Sequence, residues 1–285
     1  MTARPAEAPP WAVSEGNRLW VDFRVPFGTS GATVVPFIPK GTMKAVGRSM
    51  DLNSELVARV HRFVPDTGPS PGFAHMQDED YDRVTESVLH QHPANEDLWL
   101  FAYGSLMWRP ACEIDGQEMA RLRGWHRKFC IRIARYRGTP EVPGLMMALD
   151  RGGSCRAVVQ RLAAKTARER LGQLIRREVS SKDHPTNRPR WVSVETDSGP
   201  RRAIVFAVAR TSPYYSGDLS PEQIADVLAK AVGHWGSGAE YLLNTVQQLE
   251  SLGIHDRNLW RLQRMVADRI ASGSRAGGAA GHSDQ

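Results

Sequence analysis

The chain has 285 residues, 41% of them hydrophobic, so it can form one large domain or two small ones around a sizeable core. Its formal net charge of +6 is uneven, because residues 1–95 contain nine Lys or Arg and eleven Asp or Glu, whereas residues 96–285 contain 28 and 20. No apolar run approaches the ~18 residues of a membrane span, and no secretory leader is visible, so neither class of protein is expected.

The cysteine pattern indicates the redox setting. Cys112, Cys130 and Cys155 are sparse, odd in number and form no CxxC pair, which favours reduced thiols and a cytoplasmic location. Cys155 lies on an apolar segment and is interpreted as a core residue and not a nucleophile. No His and Cys cluster has ligand spacing, so we expect no metal site.

The first 75 residues differ from the remainder of the chain. They are rich in Pro, Gly, Ser and Thr, and periodicity is weak apart from 19–25 and 54–64. We therefore predict a poorly ordered N-terminal extension over 1–75. Met76 precedes an acidic helix start and is a candidate for the physiological start of the protein. Residues 76–272 are predicted to form the catalytic domain and 273–285 a flexible tail.

The elements of the predicted domain are ordered as strands with helices between and after them. We expect strands at 97–103, 120–136 (one or two), 144–149, 154–162, 190–197 and 201–210, and helices at 78–91, 166–178, 220–232, 237–252 and 256–271. The Asp-Arg-Gly-Gly sequence at 150–153 predicts a hairpin turn. Five or six strands with flanking helices indicate an α+β, barrel-like sheet.

The most informative segment is 97–108. An apolar, aromatic strand runs into Tyr-Gly-Ser-Leu at 103–106. Gly104 lacks a Cβ, so main-chain amides can turn toward a ligand, and Ser105 adds a hydroxyl. By itself this segment suits either ordinary strand punctuation or a cradle for an anionic or zwitterionic small molecule.

Further blocks follow in a fixed order. They are Arg137-Gly138-Thr139-Pro140 with Pro143-Gly144, Gly153-Ser154-Cys155-Arg156-Ala157-Val158, Arg177-Glu178, Pro213-Tyr214-Tyr215 with Gly217, and Glu240-Tyr241-Leu242. With Tyr-Gly-Ser-Leu, these blocks resemble the ChaC family of γ-glutamylcyclotransferases over about residues 97–270. Ala157 stands where that family commonly has Gly.

The resemblance implies a fold, a reaction and a catalytic residue. The fold would be a γ-glutamylcyclotransferase-like mixed β-barrel with flanking helices. The reaction would be cyclisation of a γ-glutamyl group, most simply that of glutathione, giving 5-oxoproline and Cys-Gly without a metal or organic cofactor. Glu178 matches the family's catalytic glutamate. Without the resemblance, the simpler interpretation of Glu178 is an exposed helix residue paired with Arg176, Arg177 or Lys182.

The remaining site expectations also depend on the resemblance. The residues expected to bind substrate are Ala102, Tyr103, Gly104, Ser105, Leu106, Met107, Tyr215 and Arg137. Tyr215 would donate its hydroxyl to the substrate or to Glu178, or else pack over a barrel end. Tyr241 is interpreted as structural, beneath a capping box formed by Ser237 and Glu240.

The loop at 180–190 departs from the family pattern, because it is longer, polar and basic and lacks an expected Tyr. Arg188 and Arg190 are candidates to bind the glycine carboxylate of glutathione, and His184 is a candidate to border the site.

The densest basic run has three interpretations. Its members are Arg121, Arg123, Arg127, Lys128, Arg132, Arg135 and Arg137. A solvated strand face is the simplest; steering of an anionic substrate and binding of nucleic acid are the others. No nucleic-acid motif accompanies the run, so we expect a small-molecule partner. Two alternatives to glutathione cleavage stay open: cyclisation of other γ-glutamyl amines or amino acids, and a non-catalytic binding or regulatory role.

Overall fold

The computed structural model describes residues 49–68 and 74–278. The helices are α1 (Ser54–Val60), α2 (Asp78–Leu89), α3 (Ser105–Trp108), α4 (Ala167–Glu178), α5 (Pro221–Leu228), α6 (Gly238–Ser251) and α7 (Arg257–Gly278). The strands are β1 (Leu98–Ala102), β2 (Gly116–Ile133), β3 (Gly144–Leu162), β4 (Asn187–Thr196), β5 (Gly199–Val208), β6 (Val232–Gly233) and β7 (Gly236–Ser237).

The first five strands close into a barrel in the order β1-β3-β2-β4-β5. Most neighbours are antiparallel, but β5 runs parallel to β1 and to β3 where the barrel closes, which makes the sheet mixed. Phe101, Phe129 and Phe206 are among the largest fully buried side chains. Closure removes exposed sheet edges, and burial of large aromatic side chains gives a hydrophobic driving force.

The predicted hairpin turn at 150–153 is wrong. Residues 144–162 form one strand that pairs with β2 along nearly its whole length. Gly152 and Gly153 have left-handed φ values of 106° and 70°, and Gly124 on β2 has 79°. The register shifts between Arg123 and Trp125, opposite the two glycines. The glycines therefore form a bulge-like irregularity that bends the two long strands, and the chain does not reverse there.

The true reversal between β2 and β3 lies in the Arg-Gly-x-Pro block. A Cβ on Gly138 would lie 2.3 Å from the Gly144 nitrogen, and a Cβ on Gly144 would lie 2.3 Å from the Arg137 oxygen. The two ends of the loop thus cross at backbone contact, which only glycine permits. This crossing fixes Arg137 at the mouth of the barrel.

Most helices follow the sequence expectations within a few residues. α5 begins after Ser220, whose hydroxyl accepts from the Gln223 amide, and Pro221 occupies its first position. α6 begins after Ser237, whose hydroxyl accepts from the Glu240 amide at 3.0 Å. α4 also begins after Thr166, but the Thr166 side chain makes no capping hydrogen bond.

The prediction of a poorly ordered extension fails for residues 49–68. Leu52 is 0% exposed in the main core, and its amide donates to Gln263 Oε1 on α7 at 2.7 Å. α1 is capped by Asn53 and packs against α6 and α7. Met76 is buried as well; its role as a start site stays a prediction. Residues 1–48 lie outside the described part of the chain.

At the other end, α7 continues through residue 278, so the tail predicted from 273 is helical over its first residues. The remainder of that tail, 279–285, lies outside the described residues. No helix in the described ranges is long and apolar enough to cross a membrane.

Candidate active site

One end of the barrel opens into a cavity of about 560 Å³, a volume that suits a small peptide. It lies between the turn after β1, the end of α4, the β2–β3 loop and the start of α6. Its lining includes Tyr103, Gly104, Ser105, Leu106, Arg109, Tyr136, Arg137, Arg176, Arg177, Glu178, Asn187, Trp235 and Tyr241.

The Gly-Ser turn forms the floor of this cavity. The Tyr103 hydroxyl donates to the Phe206 carbonyl at 2.8 Å, and Arg127 Nε donates to the Tyr103 carbonyl at 2.7 Å, which fixes the turn from both sides. A Cβ on Gly104 would lie 3.2 Å from the Tyr241 hydroxyl and from Met147 Cε. Glycine at this position keeps room for the tyrosine.

Fewer residues of this turn line the cavity than the sequence predicted. Ala102 is fully buried in β1 and Met107 is not among the lining residues. The Met107 amide donates to the Gly104 carbonyl at 3.0 Å, so this N–H is already used in the first turn of α3. Of the expected cradle, residues 103–106 line the cavity.

Glu178 ends α4 with its carboxylate facing this floor. Its side chain is 15% exposed, and its nearest cation is Arg177, whose Nε lies 3.5 Å from Glu178 Oε1. Burial raises the pKa of Glu178 above that of an ordinary glutamate, and the Arg177 charge opposes the shift. Glu178 is therefore paired with Arg177, as the alternative interpretation of the sequence allowed, but it is largely buried and not exposed.

Arg177 links the carboxylate to the Gly-Ser turn. Its Nη2 donates to Ser105 Oγ at 3.1 Å, and its Nη1 donates to the Arg109 carbonyl. These contacts fix the guanidinium between α4 and α3. Adjacent residues of the Arg-Glu block thus have separate roles, since Arg177 anchors and Glu178 faces the cavity.

Tyr241, which the sequence pattern indicates to be structural, also lines the cavity. It is buried at the start of α6, and Ser105 forms a side-chain hydrogen bond with it. Burial raises the pKa of Tyr241, and the negative charge of Glu178 raises it further. The Glu-Tyr-Leu block was the signal, but the capping pattern favoured a structural interpretation.

Arg137 lies over the Tyr241 ring, with its guanidinium carbon 5.3 Å from the ring centroid. Its Nη1 donates to the Ser237 carbonyl and to Glu240 Oε2, both at 2.8 Å. The Glu240 side chain therefore pairs with Arg137. In the predicted capping box it would instead accept from the backbone N–H of Ser237. Arg137 lines the cavity with its charge already paired.

This constellation can be compared with known proteins. A family model described as ChaC-like protein matches residues 98–269. The Escherichia coli protein named glutathione-specific γ-glutamylcyclotransferase is 36% identical over 192 residues, covering 66% of this chain and 82% of that protein. The Arabidopsis thaliana γ-glutamylcyclotransferase 2-3 is 26% identical over 179 residues, covering 59% and 88%.

This chain belongs to the ChaC-like family. The crystal structure of a yeast γ-glutamyl cyclotransferase specific to glutathione matches with a TM-score of 0.55 at 20% identity, covering 61% of this chain and 97% of that one. At this identity the likeness concerns the fold, and the predicted α+β γ-glutamylcyclotransferase-like barrel is confirmed.

Tyr215 is not brought to the cavity of this ChaC-like chain. Its hydroxyl donates to Asp150 Oδ2 at 2.9 Å and accepts from Lys128 at 3.4 Å. These partners lie at the bend of the β2–β3 ribbon, and Tyr215 is absent from the cavity lining. The expectation that it contacts Glu178 or substrate is corrected: in this structure, its hydroxyl is committed to the Asp150 network.

The 180–190 loop contributes a different residue from those expected. Arg188, Arg190 and His184 do not line the cavity, and Arg190 faces a separate groove beside α2. Asn187, the first residue of β4, is buried in the cavity wall. Its Oδ1 has no hydrogen-bond partner among the described residues. A polar residue inside a basic loop gave no sequence signal for this placement.

The basic run is not a uniformly solvated face. Arg121 and Arg123 are exposed, but Arg127 is buried against Asp256 and the Tyr103 carbonyl. Lys128 and Arg137 are likewise paired and largely buried. Some basic side chains of this run therefore lie in solvent, whereas others are buried near the mouth of the barrel. Within the described ranges, no three His, Cys, Asp or Glu residues group as a metal site.

Proposed function

We propose that this chain cleaves glutathione by cyclising its γ-glutamyl group, releasing 5-oxoproline and Cys-Gly. Glu178 carries the proposal: it is a largely buried carboxylate with a raised pKa, and it shares a cavity with the Gly-Ser turn. The naming of the E. coli and Arabidopsis relatives as γ-glutamylcyclotransferases supports the same reaction.

The reaction requires a proton to leave one nitrogen and another to reach a second. The substrate's α-ammonium cannot attack until Glu178 takes one of its protons. The free amine then attacks the γ-carbonyl carbon, and the C–N bond to the leaving amine breaks. Glu178 returns the proton to the leaving nitrogen, and the other proton lost by the attacking nitrogen also ends there. The lactam nitrogen keeps one hydrogen.

A raised pKa suits a carboxyl group that must both accept and return a proton near neutral pH. The ring closure is intramolecular, so holding the γ-glutamyl chain folded lowers the entropic part of the barrier. The turn at 103–106 supplies main-chain groups and the Ser105 hydroxyl for this purpose. Tyr241 adds a hydroxyl directly above Gly104.

The charge of the lining favours an anionic substrate. Four arginines, at 109, 137, 176 and 177, line the cavity, against the single acidic side chain of Glu178. Arg137 and Arg176 are paired with Glu240 and Asp78, and Arg177 lies beside Glu178. A tripeptide with a carboxylate at each end suits this field. Three free cysteines support a reducing, cytoplasmic setting.

The test is 5-oxoproline release from reduced glutathione by wild type and Glu178→Gln. We expect release by wild type and a loss of at least about 100-fold in the variant, the scale of general acid–base catalysis. Glu169→Gln, on the exposed side of the same helix, is the matched control and should retain activity. Equal release by Glu178→Gln would refute the assignment of the base.

One further substrate, compared with glutathione, separates the alternatives. A γ-glutamyl dipeptide such as γ-Glu-Ala lacks the Cys-Gly portion but keeps the reacting group. A higher kcat/KM for the dipeptide than for glutathione would favour the cyclotransferase of other specificity. Binding of both compounds without release, by a folded wild type, would favour the non-catalytic role.

A further inference from the structure

The segment before the family-matching region contacts residues that adjoin two walls of the cavity. We call residues 49–68 and 74–76 the arm. Leu52 anchors the arm in the core against α7, and Arg62 reaches the Lys230 carbonyl at 3.5 Å. These contacts direct the arm from the helical side of the domain toward the loop that carries His234 and Trp235.

The first contact is made by Asp66, whose partners Arg135 and His234 are the sequence neighbours of the lining residues Tyr136 and Trp235. Both carboxylate oxygens accept from Arg135, from Nε and Nη2, each at 2.7 Å. His234 Nδ1 lies 3.7 Å from Asp66 Oδ1. The Arg135 hydrogen bonds hold the pKa of Asp66 at about 2, so the carboxylate is ionised at neutral pH. A bidentate pair also fixes the orientation of the guanidinium.

Arg135 in turn lies against the rim of the cavity. Its guanidinium carbon is 5.2 Å from the ring centroid of Tyr136, and that ring is 4.1 Å from the ring of Trp235. Tyr136 has a φ of 67°, the one left-handed φ of a non-glycine in the described ranges. The Trp235 amide donates to its carbonyl at 2.7 Å. A strained residue at a site rim persists only when its surroundings hold it.

The second contact lies behind Glu178. His75 and Ser181 form an isolated antiparallel bridge, in which the Lys182 amide donates to the Ala74 carbonyl at 3.2 Å. Lys182 Nζ also lies 3.2 Å from Asp80 Oδ1 at the start of α2. The bridge is formed three residues after Glu178, where the chain leaves α4.

From these two contacts we propose that the arm is a positioning part of the active site. Asp66 sets the aromatic rim of Tyr136 and Trp235 through Arg135, and Ala74 holds the loop that follows Glu178. This inference rests on the proposed function. In that function the rim contacts the peptide portion of the substrate, and the loop after Glu178 fixes the position of the Glu178 carboxylate. The two contacts therefore predict two different kinetic effects.

Asp66→Asn tests the rim. We expect KM for glutathione to rise about three- to fivefold with kcat within about twofold, since an exposed ion pair contributes modestly and the reacting atoms lie elsewhere. Asp226→Asn is the matched control, because Asp226 pairs with Arg269 on the far helices. Asp66→Glu keeps the charge, so its KM should lie between those of wild type and Asp66→Asn. An Asp66→Asn variant with the KM of wild type would overturn this half.

Lys182→Pro tests the loop, because proline removes the amide that meets the arm. We expect kcat to fall about tenfold or more with little change in KM, since a small displacement of the base is costly. Lys182→Ala is the control: it loses the Asp80 ion pair but keeps the amide, and should retain kcat. Equal kcat in both variants would overturn the assignment to the backbone contact.

Hydrogen exchange separates this inference from the proposed function. Exchange should rise around the Trp235 amide in Asp66→Asn and around 178–181 in Lys182→Pro, relative to Asp226→Asn and Lys182→Ala. Unchanged exchange in both would refute the arm's role even in an active enzyme. A wild type that releases no 5-oxoproline would refute the proposed function, and the exchange result would still decide whether the arm holds these two walls.

Discussion

Two carboxylates of this molecule, one fully and one largely buried, have opposite surroundings. Asp150, 0% exposed at the bend of the β2–β3 ribbon, accepts from Arg210 Nε at 2.7 Å and Nη2 at 3.0 Å, from the Tyr215 hydroxyl at 2.9 Å and from the Arg151 amide at 2.8 Å. Glu178 has a single cation at 3.5 Å. Hydrogen bonds hold the pKa of Asp150 far below its usual range, whereas burial raises the pKa of Glu178.

The difference separates a structural carboxylate from a candidate base. Hydrogen bonds to the charged form stabilise it, so Asp150 stays ionised and its lone pairs are occupied. A group in that state cannot exchange a proton during a reaction near neutral pH. Glu178 lacks such a network and faces a cavity. Burial alone therefore does not identify the base; burial with few donors does.

Breaking the Asp150 network should have the largest effect on stability. Asp150→Asn leaves Arg210 and Lys128 without their buried partner, so we expect the free energy of unfolding to fall by about 3–5 kcal/mol. Urea unfolding at neutral pH measures it. Because the pKa of Asp150 is lowered on folding, its contribution is full above about pH 3.8 and is lost as the pH falls through the folded-state value.

Asp218 provides the control for this change. It also pairs with Lys128, but its side chain is 93% exposed. Asp218→Asn should leave the free energy of unfolding nearly unchanged, because an ion pair at an exposed carboxylate is screened by solvent. Equal losses in the two variants would mean that the Asp150 network contributes no more than a surface ion pair.

The same comparison applies to two tyrosines, one beside each carboxylate. Tyr241→Phe removes a hydroxyl from the cavity beside Glu178, and we expect kcat/KM to fall about tenfold with stability little changed. Tyr215→Phe removes a donor to Asp150, so the free energy of unfolding should fall by about 1.5–3 kcal/mol with kcat/KM within about twofold.

Steady-state kinetics and urea unfolding of both variants decide between these roles. A larger loss of kcat/KM in Tyr215→Phe than in Tyr241→Phe would reverse the assignment made from the structure. It would also restore the expectation that Tyr215 contacts the substrate or the base.

The two regions also differ in how far the sequence predicted them. The strand ending in Tyr-Gly-Ser-Leu and the Arg-Glu end of α4 were placed correctly, because local periodicity and short motifs define them. The Asp150 network was missed, since Asp150 was assigned to a turn by its two following glycines. The same glycines serve turns and bulges, and only the partner strand decides between them.

The residues at the rim of the cavity could not be predicted from the sequence either. Arg135 and Tyr136 come from the loop between β2 and β3, and Trp235 comes from the turn between β6 and β7. Asp66 lies in a segment whose composition predicted disorder. Contacts between residues far apart in the chain leave no local pattern. The 54–64 periodicity was a correct signal for α1, but it was outweighed by the proline and glycine content around it.

The smallest effect we predict concerns the stability of the catalytic residue itself. Because burial raises the pKa of Glu178 above 4.5, the folded state binds its proton more tightly than the unfolded state. Stability therefore falls as the pH rises from about 4.5 through the raised value, and the ionised group remains destabilising at neutral pH. Glu178→Gln removes this cost, so its Tm should exceed that of wild type at pH 7.5.

The same variant loses its advantage in acid, because wild-type Glu178 is then protonated. The difference in Tm should shrink toward zero as the pH is lowered to about 4, whereas Glu169→Gln should match wild type throughout. Differential scanning calorimetry at several pH values measures this directly. A lower Tm for Glu178→Gln at neutral pH would mean that the attraction of Arg177 outweighs burial. Glu178 would then resemble Asp150, and the distinction between the two carboxylates would not hold.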